Sequence, residues 1–345
     1  MTSVKTLTEM ANRRAFNRRS QHSGKYPTYL NIETICGCNL RCVMCPIGTG
    51  GFKRKNKVMD QKLFKKIISE VAGKTRYAWL HFFGEPLLDP YIFDRIKFCK
   101  SNGLKTQIST NATLLTKEKA GQLLESGLDD MIISLDGATK RTYEAIRKRG
   151  DFNRTMTNVR YFLELKKKRG IKRPFVRVQI IRMSENEKEI DSFIKKWKDL
   201  ADAITIKPLG SWAGQVDIGK HKKSGRKLPE RYPCLTIWEQ LTILADGKVA
   251  VCCYDFNGKN IIGDLNKQTV AEVFNGPRIR TLRLMQARGK FNIPPCNTCV
   301  EWSWQPKKVS LAKTMAKGIM EDTHLFYPII RLWGKLKSKK IEYNV

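Results

Sequence analysis

Short apolar runs alternate along this chain with longer stretches whose apolar positions recur every three or four residues. The runs YPTYLNIE (27–34), YAWLHFF (77–83), LKTQIS (104–109), DMIISL (130–135), FVRVQII (175–181) and AITIKP (203–208) predict strands. DQKLFKKIISEVA, YIFDRIKFCKSN, TKEKAGQLLESG and FNRTMTNVRYFLELKKK lie between them and predict amphipathic helices. Strand–helix alternation specifies a parallel sheet with right-handed crossovers. Six such units make a full or partial barrel, an α/β fold whose chemistry gathers at the C-terminal ends of its strands.

The pattern changes near residue 210. GQVDIGKHKKSGRKLPER (214–231) is polar, basic and rich in glycine, and predicts an exposed linker. LTILADGKVAVCCY then predicts short strands turning at Asp246-Gly247, and one helix is expected over about 269–286. The expected division is a basic N-terminal extension (1–26), a barrel (27–210), a basic linker (211–231), a small α+β unit (232–305) and a basic amphipathic tail (306–345). In the tail, Phe326, Ile329, Ile330 and Trp333 share helical spacing ahead of a lysine cluster. Such a helix packs on the barrel or lies on an anionic membrane surface.

Composition adds bounds. With 345 residues and 41% hydrophobic content, the chain can bury a large core and is not disordered. No secretory pattern and no apolar run of about 20 residues is present, so the expected location is cytoplasmic, with peripheral contact at the inner membrane face through the tail. The formal charge of +33 favours polyanions, or reflects solvated lysine-rich helix faces. It suits an anionic or lipid-linked small molecule as partner. No RNA-binding signature accompanies the charge, so nucleic acid is not expected.

Ten cysteines in a chain expected in a reducing compartment point to metal or redox chemistry. Cys36, Cys38, Cys42 and Cys45 follow the first strand. Cys234, Cys252, Cys253, Cys296 and Cys299 fall in the C-terminal unit. Cys99 stands alone in a helix and reads as a small core residue. Three thiolates in CNLRCVMC can hold three irons of a [4Fe–4S] cluster and leave the fourth iron open, as a catalytic site requires. The alternative is zinc with Cys36 as fourth ligand. Cys234, Cys252, Cys296 and Cys299 can saturate a second cluster, or a zinc ion. Cys253 is the neighbour or alternate of Cys252.

The CxxxCxxC loop after the first strand resembles the radical SAM superfamily, whose fold is a partial (β/α)6 TIM-like barrel. Further segments are similar to that family at the ends of successive strands. Gly84, Glu85 and Pro86 match its GGEP motif, with Phe83 replacing the first glycine. Ser109, Thr110 and Asn111 match the ribose-contacting position. Ser134 and Asp136 lie in SLDG, and Arg147 is similar to the arginine that meets the cofactor carboxylate. The C-terminal cysteines, with PCLTIWEQLTILADGKVAVCC and GDLNKQTVAEVFNGPRIRTL, resemble the SPASM/twitch extensions. The chain has no cysteine after Cys299, which implies one auxiliary [4Fe–4S] cluster.

The resemblance implies S-adenosylmethionine as cofactor, its reductive cleavage to a 5′-deoxyadenosyl radical, hydrogen-atom abstraction from substrate, and a reductase or flavodoxin-type electron donor. A saturated second cluster suits electron acceptance, so the expected reaction is oxidation of a hydroxyl on a sugar, cyclitol or lipid-linked polyol. The alternatives are a peptide maturase and a radical epimerase with Cys99 or Cys253 as hydrogen donor. Only 37 residues precede Cys38, which disfavours a peptide-binding domain ahead of the barrel. No base is identified; His81, Asp136 and Arg147 lie near strand ends, each with an ordinary structural role open to it.

Overall fold

The computed structural model describes residues 2–221, 228–322 and the backbone of 341–343. All six expected strands form. They are β1 (Tyr29–Ile32), β2 (Tyr77–Trp79), β3 (Lys105–Thr110), β4 (Asp130–Ser134), β5 (Phe175–Arg182) and β6 (Ala203–Pro208), parallel and adjacent in chain order. The helices between them start where a side chain can accept an orphan backbone N–H. Asp60 caps Gln61–Val71, Thr116 caps Lys117–Glu125, Thr139 caps Lys140–Ile146 and Asp151 caps Phe152–Lys168.

Alternate strand residues face opposite ways. Leu30, Ile32, Ala78, Leu80, Ile108, Met131, Ile133, Val176, Val178 and Ile180 are fully buried against the helices. Phe64, Ile67, Leu123, Val159 and Phe162 meet them from the helix side. The other face carries Tyr29, Asn31, Trp79, Gln107, Ser109, Ser134 and Gln179. Along β3 the helix-facing residues are buried and the inner ones partly exposed. On the same face Asn31, Ser134 and Gln179 are buried, so this side of the sheet is polar and largely covered.

The C-terminal unit extends the same sheet. β7 (Gln240–Ile243) pairs in parallel with β1 on the edge away from β2, with Tyr29 opposite Gln240 and Ile32 opposite Ile243. β8 (Lys248–Ala250) and β9 (Ile261–Asp264) follow as antiparallel strands, and β10 (Ile341–Tyr343) pairs with β6 at the far edge. The expected single helix over 269–286 is two, Val270–Phe274 and Pro277–Ala287. Pro277 has no N–H to continue the first helix, and its fixed φ suits the first turn of the second.

The N-terminal extension is structured. Helix Val4–Asn17 packs against helix Leu311–Asp322. Arg76 pins both through Glu9, Glu321, Asp322 and Thr6. The tail positions Phe326, Ile329, Ile330 and Trp333 lie outside the described residues, as do 222–227 of the basic linker. Among the described residues no helix is long and apolar enough to cross a membrane.

Candidate functional site

The first cysteine loop leaves the C-terminal end of β1 and is clamped from two sides. Arg41–Cys42 pairs with Arg147–Lys148. Gly37 bridges Gly84: its N–H donates to Phe83 O at 3.0 Å, and Glu85 N–H donates back to Gly37 O at 2.9 Å. A Cβ on Gly84 would stand 2.1 Å from Ile35 O, so only glycine admits this approach. A Cβ on Gly48 would likewise stand 2.1 Å from Cys42 O, where the short helix Pro46–Thr49 folds back on the loop.

This clamp gathers Cys38, Cys42 and Cys45. Burial pushes each thiol up to about 11. Cys38 is further raised by Cys42, Cys42 by Cys45, and Cys45 by Cys38, so the three form a closed set. Donors work in the opposite direction. Leu40 N–H lies 3.4 Å and Asn111 Nδ2 3.7 Å from Cys38 Sγ, and Arg147 Nη1 lies 3.9 Å from Cys42 Sγ. Such donors stabilise sulfur that carries negative charge, as metal-bound thiolate does. Cys36 stands apart: it is buried, and its charged neighbours are Glu33, Arg54 and Asp246 rather than the three thiols. That removes the support for a four-cysteine zinc site in this loop.

The strand-end residues converge on the loop. The Glu85 carboxylate accepts from Thr110 Oγ1 at 2.5 Å, Asn111 N–H at 2.8 Å and Leu87 N–H at 3.1 Å. It therefore ties β3 to the Gly84–Pro86 turn, and the turn's backbone is what remains for a ligand. Asn111 Nδ2 also donates to Asn39 Oδ1 at 3.0 Å. Asp136 accepts from Arg147 Nη2 at 2.6 Å and from Ile181 N–H at 2.7 Å, and Arg147 Nε donates to Leu135 O at 3.1 Å. Asp136 and Arg147 are thus bound to one another, which removes both as simple bases. Ser109 and Ser134 lie together on the inner face, their hydroxyls 3.5 Å apart, with Gln179 Nε2 at 3.4 Å from Ser134 Oγ. Asn39 and Gln179 were not singled out from sequence; both are polar residues in plain motifs, and only strand register brings them here.

Cys234, Cys252, Cys253, Cys296 and Cys299 all line one pocket with Tyr254, Gln286, Glu301 and Trp302. Burial raises every one of these thiols. Cys252 feels the neighbouring thiols of Cys253, Cys296 and Cys234 and accepts Tyr254 N–H at 3.4 Å. Cys253, pushed up to about 12, is coupled to Cys234 and held by Gln240. Both thiols line the pocket and either can be the fourth member of the set. Gln286 serves the site twice, accepting Cys234 N–H at 2.9 Å and donating to Cys296 Sγ at 3.5 Å. Among the described residues no three His, Cys, Asp or Glu side chains are drawn together closely enough for a single metal ion. Four thiols around one pocket suit a cluster, which binds each to a different iron, better than tetrahedral zinc.

The glycine-containing segment after β6 joins the two sites. Trp212 Nε1 donates to Met44 O at 2.8 Å, and its ring lies 5.0 Å from Phe83 and 6.1 Å from Tyr254. Ala213 N–H donates to Glu301 Oε1 at 3.2 Å, and Gln215 Nε2 to Tyr254 O at 2.8 Å. Glu301 in turn accepts from Cys299 Sγ at 3.3 Å. Nothing in the local sequence marks Glu301, since it lies outside the cysteine pattern.

Comparison with known proteins agrees with this geometry. Residues 32–196 match the model of the Radical SAM superfamily, and residues 234–300 match that of SPASM, an iron–sulfur cluster-binding domain. The tungsten-containing aldehyde ferredoxin oxidoreductase cofactor-modifying protein of Pyrococcus furiosus is 28% identical over 190 residues, 52% of this chain and 51% of that protein. The AdoMet-dependent heme synthase of Methanosarcina barkeri is 32% identical over 135 residues, 39% of this chain and 38% of that protein. The chain therefore spans about half or less of the length of these two relatives. Among solved structures, BtrN in complex with AdoMet and 2-DOIA superposes with a TM-score of 0.54 at 17% identity, over 82% of this chain and 97% of that one. Streptococcus suis SuiB bound to precursor peptide SuiA gives 0.61 at 16% identity, over 81% and 71%. The two family matches, with the paired cysteine sites on a partial parallel barrel, make this chain a member of the radical SAM superfamily with a C-terminal SPASM iron–sulfur domain, whose cofactors are S-adenosylmethionine, a [4Fe–4S] cluster and an auxiliary iron–sulfur cluster.

Proposed function

We propose that the chain oxidises a hydroxyl group on a sugar, cyclitol or other polyol held inside the barrel. One observation carries this reading: a three-thiol loop and a separate four-thiol pocket belong to one continuous sheet whose inner face carries hydroxyls and amides. The inner face reaches both. Ser109 and Ser134 stand at the strand ends under the first loop, and Gln240, beside Tyr29, contacts Cys253. An open cleft of about 590 Å³, lined by Tyr29, Trp79 and Gln240 together with Arg13, Glu239 and Lys313, shares Thr236 and Gln305 with the second pocket.

Cys38, Cys42 and Cys45 would hold the first cluster, and Cys234, Cys252, Cys296 and Cys299 the auxiliary one. The Gly84–Pro86 turn, Ser109–Asn111, Ser134, Asp136 and Arg147 would surround S-adenosylmethionine. When bound, these groups supply a 5′-deoxyadenosyl radical and a one-electron acceptor. The chain's own part is to orient the substrate's C–H and O–H and to keep water away, which the aromatic wall of Phe52, Phe83, Trp212 and Phe256 serves. The electron donor is a reductase or flavodoxin-type protein, and the location is cytoplasmic.

The likeness to BtrN supports a small-molecule substrate. A second reading, peptide maturation, draws on SuiB and its bound precursor peptide. The test is anaerobic turnover of S-adenosylmethionine with dithionite and a panel of polyols and peptides. Formation of 5′-deoxyadenosine with an equal amount of a carbonyl product from a polyol supports the oxidation. Turnover that depends on a peptide alone overturns it.

A further inference from the structure

Two buried polar atoms have no hydrogen-bond partner on the inner face of neighbouring strands: Asn31 Oδ1 on β1 and His81 Nδ1 just beyond β2. The register sets Asn31 opposite Trp79, so His81 is the next inward position towards the first cysteine loop. A buried polar atom left without a partner carries the full cost of its desolvation, and native structures keep few of them. Two on the same face of neighbouring strands point to a ligand that completes them.

The chemistry of that ligand follows from its surroundings. The His81 ring lies beside the Gln107 carbonyl, and burial together with the Lys207 charge holds it neutral. The hydrogen bond to the Gln107 carbonyl uses the N–H of the neutral imidazole, so the ring, like the Asn31 amide oxygen, has an acceptor left for a ligand that donates. Nearby stand Ser109, Ser134 and Gln179, also uncharged. The arginines of this face are matched within the protein, Arg147 by Asp136 and Arg177 by Asp130. Lys207 is the charged group that acts on His81; the hydroxyls and amides beside it are uncharged, and together they suit a ring bearing several hydroxyl groups.

We propose that His81 and Asn31 are the hydrogen-bonding anchors of the substrate, and that a hydroxyl-rich ring completes both atoms on entering the barrel. This rests on the polyol reading above and names the residues that would recognise it. The anchors orient the hydroxyl-bearing carbon; they are positioning contacts to substrate.

The experiment uses anaerobically reconstituted protein with S-adenosylmethionine, and His81→Leu and Asn31→Leu beside the wild type. Radiolabelled myo-inositol and myo-inositol 1-phosphate serve as probes in equilibrium dialysis, and melting temperature is measured without probe. Replacing an unpartnered polar atom by an apolar one removes a cost, so each variant should melt at or above the wild-type temperature. Each should also bind the probes at least tenfold more weakly. A lower melting temperature in both variants overturns the assignment, since it means the atoms serve the fold. Unchanged probe binding in both overturns it as well, and so does failure of the wild type to bind either probe. Weakened binding in the variants, with no carbonyl product from the wild type, would sink the oxidation reading and leave the anchors standing.

Discussion

At the scale of single residues, the site depends on contacts that leave no room for change. Gly48→Ala would push a methyl group into the Cys42 carbonyl. We expect this variant to lose the first cluster and keep the second, so its iron content after reconstitution should fall by about half, to about four per chain. Asp136→Asn leaves Arg147 buried without its counter-charge, and breaking such a pair costs about 3–5 kcal/mol. Its melting temperature should drop and its affinity for S-adenosylmethionine should weaken, read by calorimetry and equilibrium dialysis; wild-type values on both would refute the pairing. Glu239 supplies a pH signature. Burial pushes its carboxyl up to about 7, against the pull of Arg13. The folded state then binds a proton that the unfolded state releases from about pH 4.5 upward. Stability should therefore fall as pH rises from about 4.5 to about 7, and Glu239→Gln should flatten that slope in denaturant titrations.

Among the elements, the segment after β6 matters more than its composition suggests. The sequence predicts an exposed basic link over 214–231, of which 222–227 lie outside the described residues and His221 is buried. Its first residues instead tie Met44 of the first loop to Tyr254 and Glu301 of the second site. Trp212→Leu loses a hydrogen bond and a packed ring, whereas Trp212→Phe loses only the hydrogen bond, about 1 kcal/mol. Iron release to a chelator should accelerate markedly in the first variant and slightly in the second. Equal rates in all three proteins would show that the segment does not support the loop. The helix pair at 270–287 was legible as helix but not as two, although Gly276-Pro277 marks the break; the apolar period runs through it and masked the stop.

For the whole molecule, the continuous sheet binds the C-terminal unit to the barrel through the β1–β7 pairing. The two cysteine sites are then fixed relative to one another by backbone hydrogen bonds as well as side chains. We expect about eight irons per chain in the reconstituted wild type, and about four in a Cys38/Cys42/Cys45→Ala variant that still folds. About four in the wild type and almost none in the variant would mean that the second pocket holds no cluster. Cys99, offered as a hydrogen donor for epimerisation, lies in the core between sheet and helices and away from the interior, so Cys253 alone keeps that role open.

The sequence by itself determined the six strands, most helices and both groups of cysteines. Strand period, capping residues and ligand spacing are local properties, written within a few neighbouring positions. Cys38, Cys42 and Cys45 could be read as one ligand set because a single loop carries them. Tertiary structure alone decided what depends on distant pairings: that Glu85 spends its carboxylate on β3, and that Arg147 meets both Asp136 and Cys42. It also decided that β7 joins β1. Asn31 and His81 look ordinary in the chain, and their unpartnered atoms arise only from how strands and loops pack around them.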